Sequence, residues 1–209
     1  MRNLVIILDP AHGSDVAGKR SPDNTHLEYE WSRMICSDLY KDLTGLGFQV
    51  YITNPEEREI GLTKRKNIAN SINASSNQIK LLLSLHNNAC TADGSWGVAR
   101  GYEVYTSRGQ TLSDKIADIL MKNLIDEFPS IDGYKARYDN LDGDLDREAN
   151  FTVLMGSNYY AVLIEWLFMD NLYDLSLLKS DDVNYRFIQT IIRSLLYIDK
   201  NLNEIRNEN

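Results

Sequence analysis

Residues 81–88 of this chain, Leu81-Leu82-Leu83-Ser84-Leu85-His86-Asn87-Asn88, form an apolar run that ends on a histidine. Four of the first five residues are leucine, a pattern typical of a strand buried on both faces of a sheet. His86 then stands at the carboxyl end of that strand, and open α/β sheets bind their ligands at this edge. The stretch therefore predicts a central strand that carries a polar side chain to a ligand site.

A second histidine has the same kind of position. Residues 4–8 are another apolar run, and Asp9-Pro10-Ala11-His12-Gly13 follows it directly. The chain has three histidines in total, so two of the three stand at the ends of predicted parallel strands. Imidazoles brought to one edge of a sheet favour a metal site.

Composition excludes several classes of function. The chain has 209 residues, of which 43% are hydrophobic and 25% charged, as in ordinary globular proteins. The net charge of −8 offers no basic surface for nucleic acid or for anionic membranes. Cys36 and Cys90 form neither a disulfide framework nor a Cys-x-x-Cys motif. We expect Cys36 to be a buried thiol, and Cys90, four residues after His86, is a further candidate ligand that we do not favour.

The apolar runs of the chain are short. Residues 4–8 fall below the roughly 7–15 apolar residues of a signal-peptide core. No run approaches the roughly 18–20 residues of a membrane span. We therefore expect synthesis in the cytoplasm without a signal peptide.

Predicted strands and helices alternate along the chain, which favours a single α/β domain over residues 1–209. We expect a central, mostly parallel or mixed sheet of about six strands with helices on both faces. Residues 129–150 are predicted to be a solvated acidic loop, since Gly143 is out of place for a calcium loop of the EF-hand type. The predicted strands are residues 4–8, 49–53, 80–85, 102–106, 151–155 and 160–164, and the predicted helices are residues 27–44, 62–75, 111–128 and 183–201.

Zinc hydrolases hold their metal with three side chains and leave a fourth position for water. His12 and His86 supply two ligands, and either Glu28 or Glu30, both at the start of the first predicted helix, can supply the third. The chemistry also needs an acidic group outside the ligand set. Glu165 is the candidate, because it ends an apolar strand where a charge is costly without a role or a partner.

Each of these residues also has a purely structural interpretation. A histidine at a strand end is often a hydrogen-bonded structural residue, and a glutamate at a helix start often only complements the helix dipole. Glu165 alone fits a buried ion pair. Their common placement at one edge of the sheet is what favours the functional interpretation.

The sequence resembles the zinc-dependent N-acetylmuramoyl-L-alanine amidases, the cell-wall lytic enzymes of bacteria and their phages. The resemblance covers nearly the whole chain, and its motifs occur in the family's order. They are Leu8-Asp9-Pro10-Ala11-His12-Gly13, Glu28 with Trp31, Ile35 and Leu39, Leu62-x-x-Arg65-x-x-x-Ala69-Asn70, Ser84-Leu85-His86-Asn87-Asn88, Gly101-Tyr102-Glu103-Val104-Tyr105 and Val162-Leu163-Ile164-Glu165-x-x-Phe168-x-x-Asn171.

Three positions depart from the family pattern or add to it. Ala11 replaces the usual glycine before the first histidine, which an alanine tolerates only with a negative φ. Met155 stands where the family often has an arginine, so a substrate-contacting arginine is not carried over. His26 matches no family ligand, and we expect it at the surface or behind the ligands.

The resemblance implies a function. It implies hydrolysis of the amide between N-acetylmuramic acid and L-alanine of peptidoglycan, with Zn2+ held by His12, Glu28 and His86. Glu165 would then be the catalytic residue, and Glu28 matches the family's metal glutamate better than Glu30 does. We expect one catalytic amidase domain without a separate cell-wall-binding domain, acting as a monomer.

The expected biological role is that of a phage endolysin released through a holin-made lesion. Two alternatives remain open. One is a zinc peptidase that cuts within the stem peptide, because the same donor set serves both bonds. The other is a non-catalytic wall-binding module of the same fold, although the presence of all four site residues argues against it.

Overall fold

The computed structural model describes residues 2–139, 143–156 and 158–207. Six strands in these ranges form one mixed sheet in the order β2-β1-β3-β6-β4-β5. The strands are β1 (Leu4–Pro10), β2 (Gln49–Ile52), β3 (Ile79–Asn88), β4 (Glu103–Thr106), β5 (Arg147–Glu148) and β6 (Tyr160–Phe168). The helices are α1 (Glu28–Gly45), α2 (Leu62–Ser71), α3 (Leu112–Glu127), α4 (Leu172–Leu178) and α5 (Asp181–Asn207), and a single 3-10 turn covers Ser130–Asp132.

The strand directions bring four carboxyl ends to one edge of the sheet. β2, β1, β3 and β6 are mutually parallel, whereas β4 is antiparallel to β6. In the register, His86 of β3 lies opposite Glu165 of β6, and Glu103 of β4 lies opposite the same Glu165. Residues paired in this way project from the same face of the sheet.

The sheet is covered on both faces, as predicted. Leu81, Leu83 and Leu85 of β3 pack into a large apolar cluster with α1, α3 and α5. Leu82 points the other way, into a smaller cluster with Ala69 of α2. This alternation explains the leucine run, because a strand buried on both faces needs apolar residues at every position.

The first helix follows the apolar stripe of its sequence. Trp31, Ile35, Leu39 and Leu43 recur at four-residue steps, and all four are buried. The stripe holds α1 against the sheet and so fixes the position of Glu28 at its first turn.

The strand predicted at residues 151–155 is wrong. These residues form turns, and the edge strand is instead the two-residue β5, within the region predicted as a loop. Val153 and Leu154 are nevertheless buried, in the smaller apolar cluster. An apolar run indicates burial, and a turn buries such a run as well as a strand does.

Other predicted boundaries differ less from those observed. β3 continues to Asn88, so His86 lies within the strand rather than after it. The seven-residue helix α4, capped by the Asn171 side chain, was not predicted. Residues 140–142 of the rejected calcium loop lie outside the described residues.

Among the described residues, no helix combines the length and the apolar character needed to cross a membrane.

The aromatic packing between β6 and α5 gives a test of the core. Phe187 is fully buried and stacks on Trp166, with ring centroids 4.3 Å apart. Phe187→Ala should lower the free energy of unfolding by about 3–5 kcal/mol, because it leaves a cavity under the sheet. Tyr185→Ala is the matched control, since Tyr185 lies in the same helix at 62% exposure. It should change stability by less than about 0.5 kcal/mol in urea unfolding, and equal effects of the two changes would contradict the packing.

Candidate active site

Three polar side chains converge at the carboxyl edge of the sheet. His12 follows β1, His86 belongs to β3, and Glu28 opens α1. One ligand atom from each of the three lies within 4.8 Å of those of the other two. The predicted ligand set is thus assembled in space from three separate elements.

The Glu28 carboxylate lies between the two imidazoles. Its Oε1 is 2.9 Å from Nδ1 of His86, and its Oε2 is 3.5 Å from Nε2 of His12. The two rings meet edge to face with centroids 5.0 Å apart. The Glu28 side chain is only 1% exposed, and its Oε2 has no hydrogen-bond partner. A carboxylate oxygen buried in this state is costly unless a proton or a cation neutralises it.

The three groups shift one another's pKa values. Burial lowers the pKa of His12 to about 4 against the attraction of Glu28. Burial also opposes protonation of His86, but its hydrogen bond with Glu28 and the negative charges of nearby carboxylates together outweigh burial and raise the pKa of His86. Burial favours protonation of Glu28, yet the hydrogen bond with His86 and the charges of both histidines lower its pKa overall. The site therefore favours an ionised carboxylate.

Glu165 stands beside this group without joining the set of three. It lies opposite His86 in the register of β3 and β6, and its Oε2 is buried without a hydrogen-bond partner. Burial raises the pKa of Glu165 to about 7, with a smaller contribution from the negative charge of Glu28. A carboxyl group with such a pKa can both accept and donate a proton near neutral pH.

Two arginines hold the turn that carries His12. Arg65 is 1% exposed and donates to the carbonyl oxygens of Pro10 and His12. Arg33 donates to the carbonyl oxygens of Ala11 and His12. These bonds stabilise His12 at φ +45°, a left-handed conformation that costs a residue other than glycine roughly 1–2 kcal/mol.

The neighbours of His12 explain the residue types of the turn. A Cβ on Gly13 would lie 2.0 Å from the backbone nitrogen of Glu59, so only glycine fits there. Ala11 is buried and is not among the positive-φ residues, which meets the condition set by its replacement of glycine.

The structure separates the two candidate glutamates. Glu30 is exposed, and its carboxylate accepts a hydrogen bond from the Tyr29 hydroxyl. Glu28 alone of the two faces the histidines, as the family resemblance implied. Cys90 is exposed and lies outside the three-residue group, whereas Cys36 is buried as predicted.

Of the two positions expected for His26, at the surface or behind the ligands, the structure shows the second. The residue is 8% exposed, and its Nε2 is 2.7 Å from Oδ1 of Asn87. The backbone nitrogen of Asn87 donates in turn to Glu28. His26 therefore lies behind the ligand candidates Glu28 and His86. Its hydrogen bond supports Asn87, which in turn donates to Glu28.

A buried glutamate on the other side of Glu165 was not singled out from the sequence. Glu103 is 3% exposed and accepts hydrogen bonds from Arg137 and from the Tyr105 hydroxyl, with Arg147 3.7 Å away. These arginines come from the region predicted as a loop. Met155, which stands where the family often has an arginine, is 45% exposed. Because methionine is uncharged, this position carries no positive charge here.

The residues present fit a zinc ion. Two imidazoles and one carboxylate are a donor set of catalytic zinc sites. The buried, unpartnered Oε2 of Glu28 is the kind of atom that a bound cation would satisfy.

Comparisons with known proteins identify the family and the fold. The family model of N-acetylmuramoyl-L-alanine amidase matches residues 6–197. An N-acetylmuramoyl-L-alanine amidase from Clostridium difficile 630 has 23% identity and a TM-score of 0.74, covering 94% of this chain and 97% of that chain. The CwlD amidase from Clostridioides difficile, solved in complex with the GerS lipoprotein, has 21% identity and a TM-score of 0.74, covering 93% and 99%. The catalytic domain of the CD27L endolysin, which targets Clostridia difficile, has 20% identity and a TM-score of 0.64, covering 93% and 97%.

A comparison with curated protein sequences finds no match. The three structural similarities show a shared fold, and the family model covers most of the chain. The chain therefore belongs to the N-acetylmuramoyl-L-alanine amidase family. The predicted α/β fold and the family resemblance are both confirmed.

The donor set predicts the metal content of the protein. Purified protein given zinc and then dialysed should retain about one zinc per chain, measured by plasma mass spectrometry. His12→Ala, Glu28→Ala and His86→Ala should each lose it, because each removes one of three ligands. Glu30→Ala is the matched control and should keep it, since Glu30 is exposed. Zinc retained by Glu28→Ala but lost by Glu30→Ala would show that the wrong glutamate was assigned.

Proposed function

We propose that this protein hydrolyses the amide between N-acetylmuramic acid and L-alanine of peptidoglycan, with zinc held by His12, Glu28 and His86. The observation that carries the proposal is the buried Glu28 carboxylate between two imidazoles, with Glu165 beside them. Membership of the amidase family supports the choice of bond.

Each residue has a defined part in this proposal. When bound, zinc supplies Lewis-acid chemistry: it polarises an amide carbonyl and lets water act as a nucleophile near neutral pH. Glu28 and the two histidines hold that ion, and the two arginines at the β1 turn keep His12 in place. Asn87, buttressed by His26, donates to Glu28 and orients its carboxylate.

Glu165 is proposed as the group that moves the proton. It takes a proton from the attacking water and gives it to the nitrogen of the leaving amine. Its carboxyl has a buried oxygen without a hydrogen-bond partner and lies one strand away from His86, outside the ligand set. An acid–base group must remain free of the metal in this way, because it changes its protonation state in each turnover.

Glu165→Gln should separate catalysis from metal binding. The amide is nearly isosteric but cannot accept the proton, so turnover should fall by about 10²–10⁴-fold. Zinc content and the circular dichroism spectrum should stay as in the unchanged protein, and Glu30→Gln should retain full activity. Full activity of Glu165→Gln would move proton transfer to another residue, and loss of zinc would make Glu165 a ligand.

The bond that is cut can be read from the products. Digested peptidoglycan of defined structure should gain free L-alanine amino termini and release intact stem peptides, identified by mass spectrometry. No new reducing sugar ends should appear, because glycosidases usually need two free carboxyl groups. Glu103, the other carboxylate beside Glu165, is already bound by Arg137 and the Tyr105 hydroxyl.

The same digestion tests the alternatives. New amino termini within the stem peptide or a cross-bridge would show that the protein is a zinc peptidase instead. Binding to the wall without any product, in protein that holds zinc, would favour a non-catalytic wall-binding module. An increase in reducing ends would contradict the metal mechanism.

We further propose that the protein is a phage endolysin that acts as a monomer on the wall after holin-type release from the cytoplasm. The support is the fold shared with the catalytic domain of the CD27L endolysin. Bacteria that express the protein internally should lyse only after the membrane is permeabilised, and cells that express Glu165→Gln should stay intact. Lysis without permeabilisation would contradict the dependence on a holin.

A further inference from the structure

A second group of carboxylates lies away from the candidate active site. Asp114 in the first turn of α3 and Asp144 and Asp146 before β5 each place a carboxylate oxygen within 4.8 Å of the other two. Asp114 and Asp146 are 3% and 1% exposed. The group packs around Thr106 at the end of β4, on the sheet face opposite to that of Glu103, because neighbouring strand residues alternate.

One oxygen of Asp146 has no internal partner. Oδ2 of Asp146 accepts a hydrogen bond from the Thr106 hydroxyl at 2.6 Å, but Oδ1 of Asp146 is buried without any hydrogen-bond partner. Burial of a carboxylate oxygen in this state is unfavourable unless a proton or a cation neutralises it. The Asp146 side chain thus offers an acceptor to a cation or a proton.

The hydroxyl hydrogen beside these carboxylates is also too few for the oxygens that it faces. The Thr106 hydroxyl is 2.8 Å from Oδ1 of Asp114 as well as 2.6 Å from Asp146, yet it has one hydrogen to donate. Burial, reinforced by the charges of Asp144, Asp114 and Asp118, raises the pKa of Asp146 to about 7. Like charges crowded in this way repel unless a cation lies among them.

We propose that Asp114, Asp144 and Asp146 form a structural calcium site. Oxygen ligands at 2.3–2.6 Å from one Ca2+ can lie up to about 5 Å apart, which accommodates the observed spacing. Ca2+ accepts several carboxylates in flexible geometry, whereas Mg2+ is usually bound by one or two carboxylates and keeps much of its water. The set contains no nitrogen or sulfur donor that would favour zinc.

The site would fix a segment that reaches the active site. Residues 144–146 are already joined to α3, since the backbone nitrogen of Leu145 donates to Asp118 at 2.8 Å. The next residue, Arg147, lies 3.7 Å from the Glu103 carboxylate. Glu103 is the register partner of Glu165. Calcium would therefore stabilise the strand that carries Arg147 toward the proposed catalytic glutamate.

The experiment uses zinc-loaded protein passed over a chelating resin, with no dissolved chelator, and with zinc content checked throughout. CaCl2 is then added during calorimetric titration and thermal unfolding. We expect one saturable calcium site, a melting temperature that increases with calcium, a smaller increase with MgCl2 and unchanged zinc. Asp144→Asn, at a partly exposed position, should weaken calcium binding at least tenfold, and the control Asp132→Asn, at an exposed position, should not.

Three results would overturn the proposal. They are no saturable calcium binding, a calcium response retained in both Asp144→Asn and Asp146→Asn, and calcium binding that occurs only as zinc is lost. An equal response to magnesium would overturn the assignment of calcium. If Asp146→Asn does not fold, judged by circular dichroism, Asp144→Asn alone decides.

Discussion

The buried carboxylate of Glu28 is the constraint on which the rest of the site depends. At 1% exposure it needs polar or charged partners, and the structure gives it two imidazoles, one from the turn after β1 and one from β3. To meet them, the turn after β1, the end of β3 and the start of α1 must converge at one point. Arg65 and Arg33 hold the first of these in an otherwise unfavourable conformation. The site is thus preorganised by hydrogen bonds to the backbone of this turn.

Burial determines how much of the fold could be predicted from the sequence. β3 and α1 were predicted nearly as they stand, because a continuous apolar run and a stripe at helical spacing each report which faces are covered. The prediction failed at residues 151–155, where the run is buried in turns. β5 was missed because two residues carry no periodicity, so that only pairing with β4 defines the strand.

The candidate site, like the fold, could be predicted from the sequence only in part. His12 and His86 could be found from the sequence, because strand ends are recognisable and parallel strands bring their ends together. Glu28 and Glu30 both lie in the first turn of α1, and without the family resemblance only the folded structure separates the buried one from the exposed one. The two arginines beside Glu103 come from distant segments, and no spacing in the sequence connects them with it.

X-ray diffraction at the zinc absorption edge, on crystals of zinc-loaded protein, tests the central claim most directly. The account predicts one anomalous peak bounded by the side chains of His12, Glu28 and His86, with Glu165 nearby but not bound to the metal. Zinc at any other place, or Glu165 in place of Glu28 as the carboxylate ligand, would contradict the account.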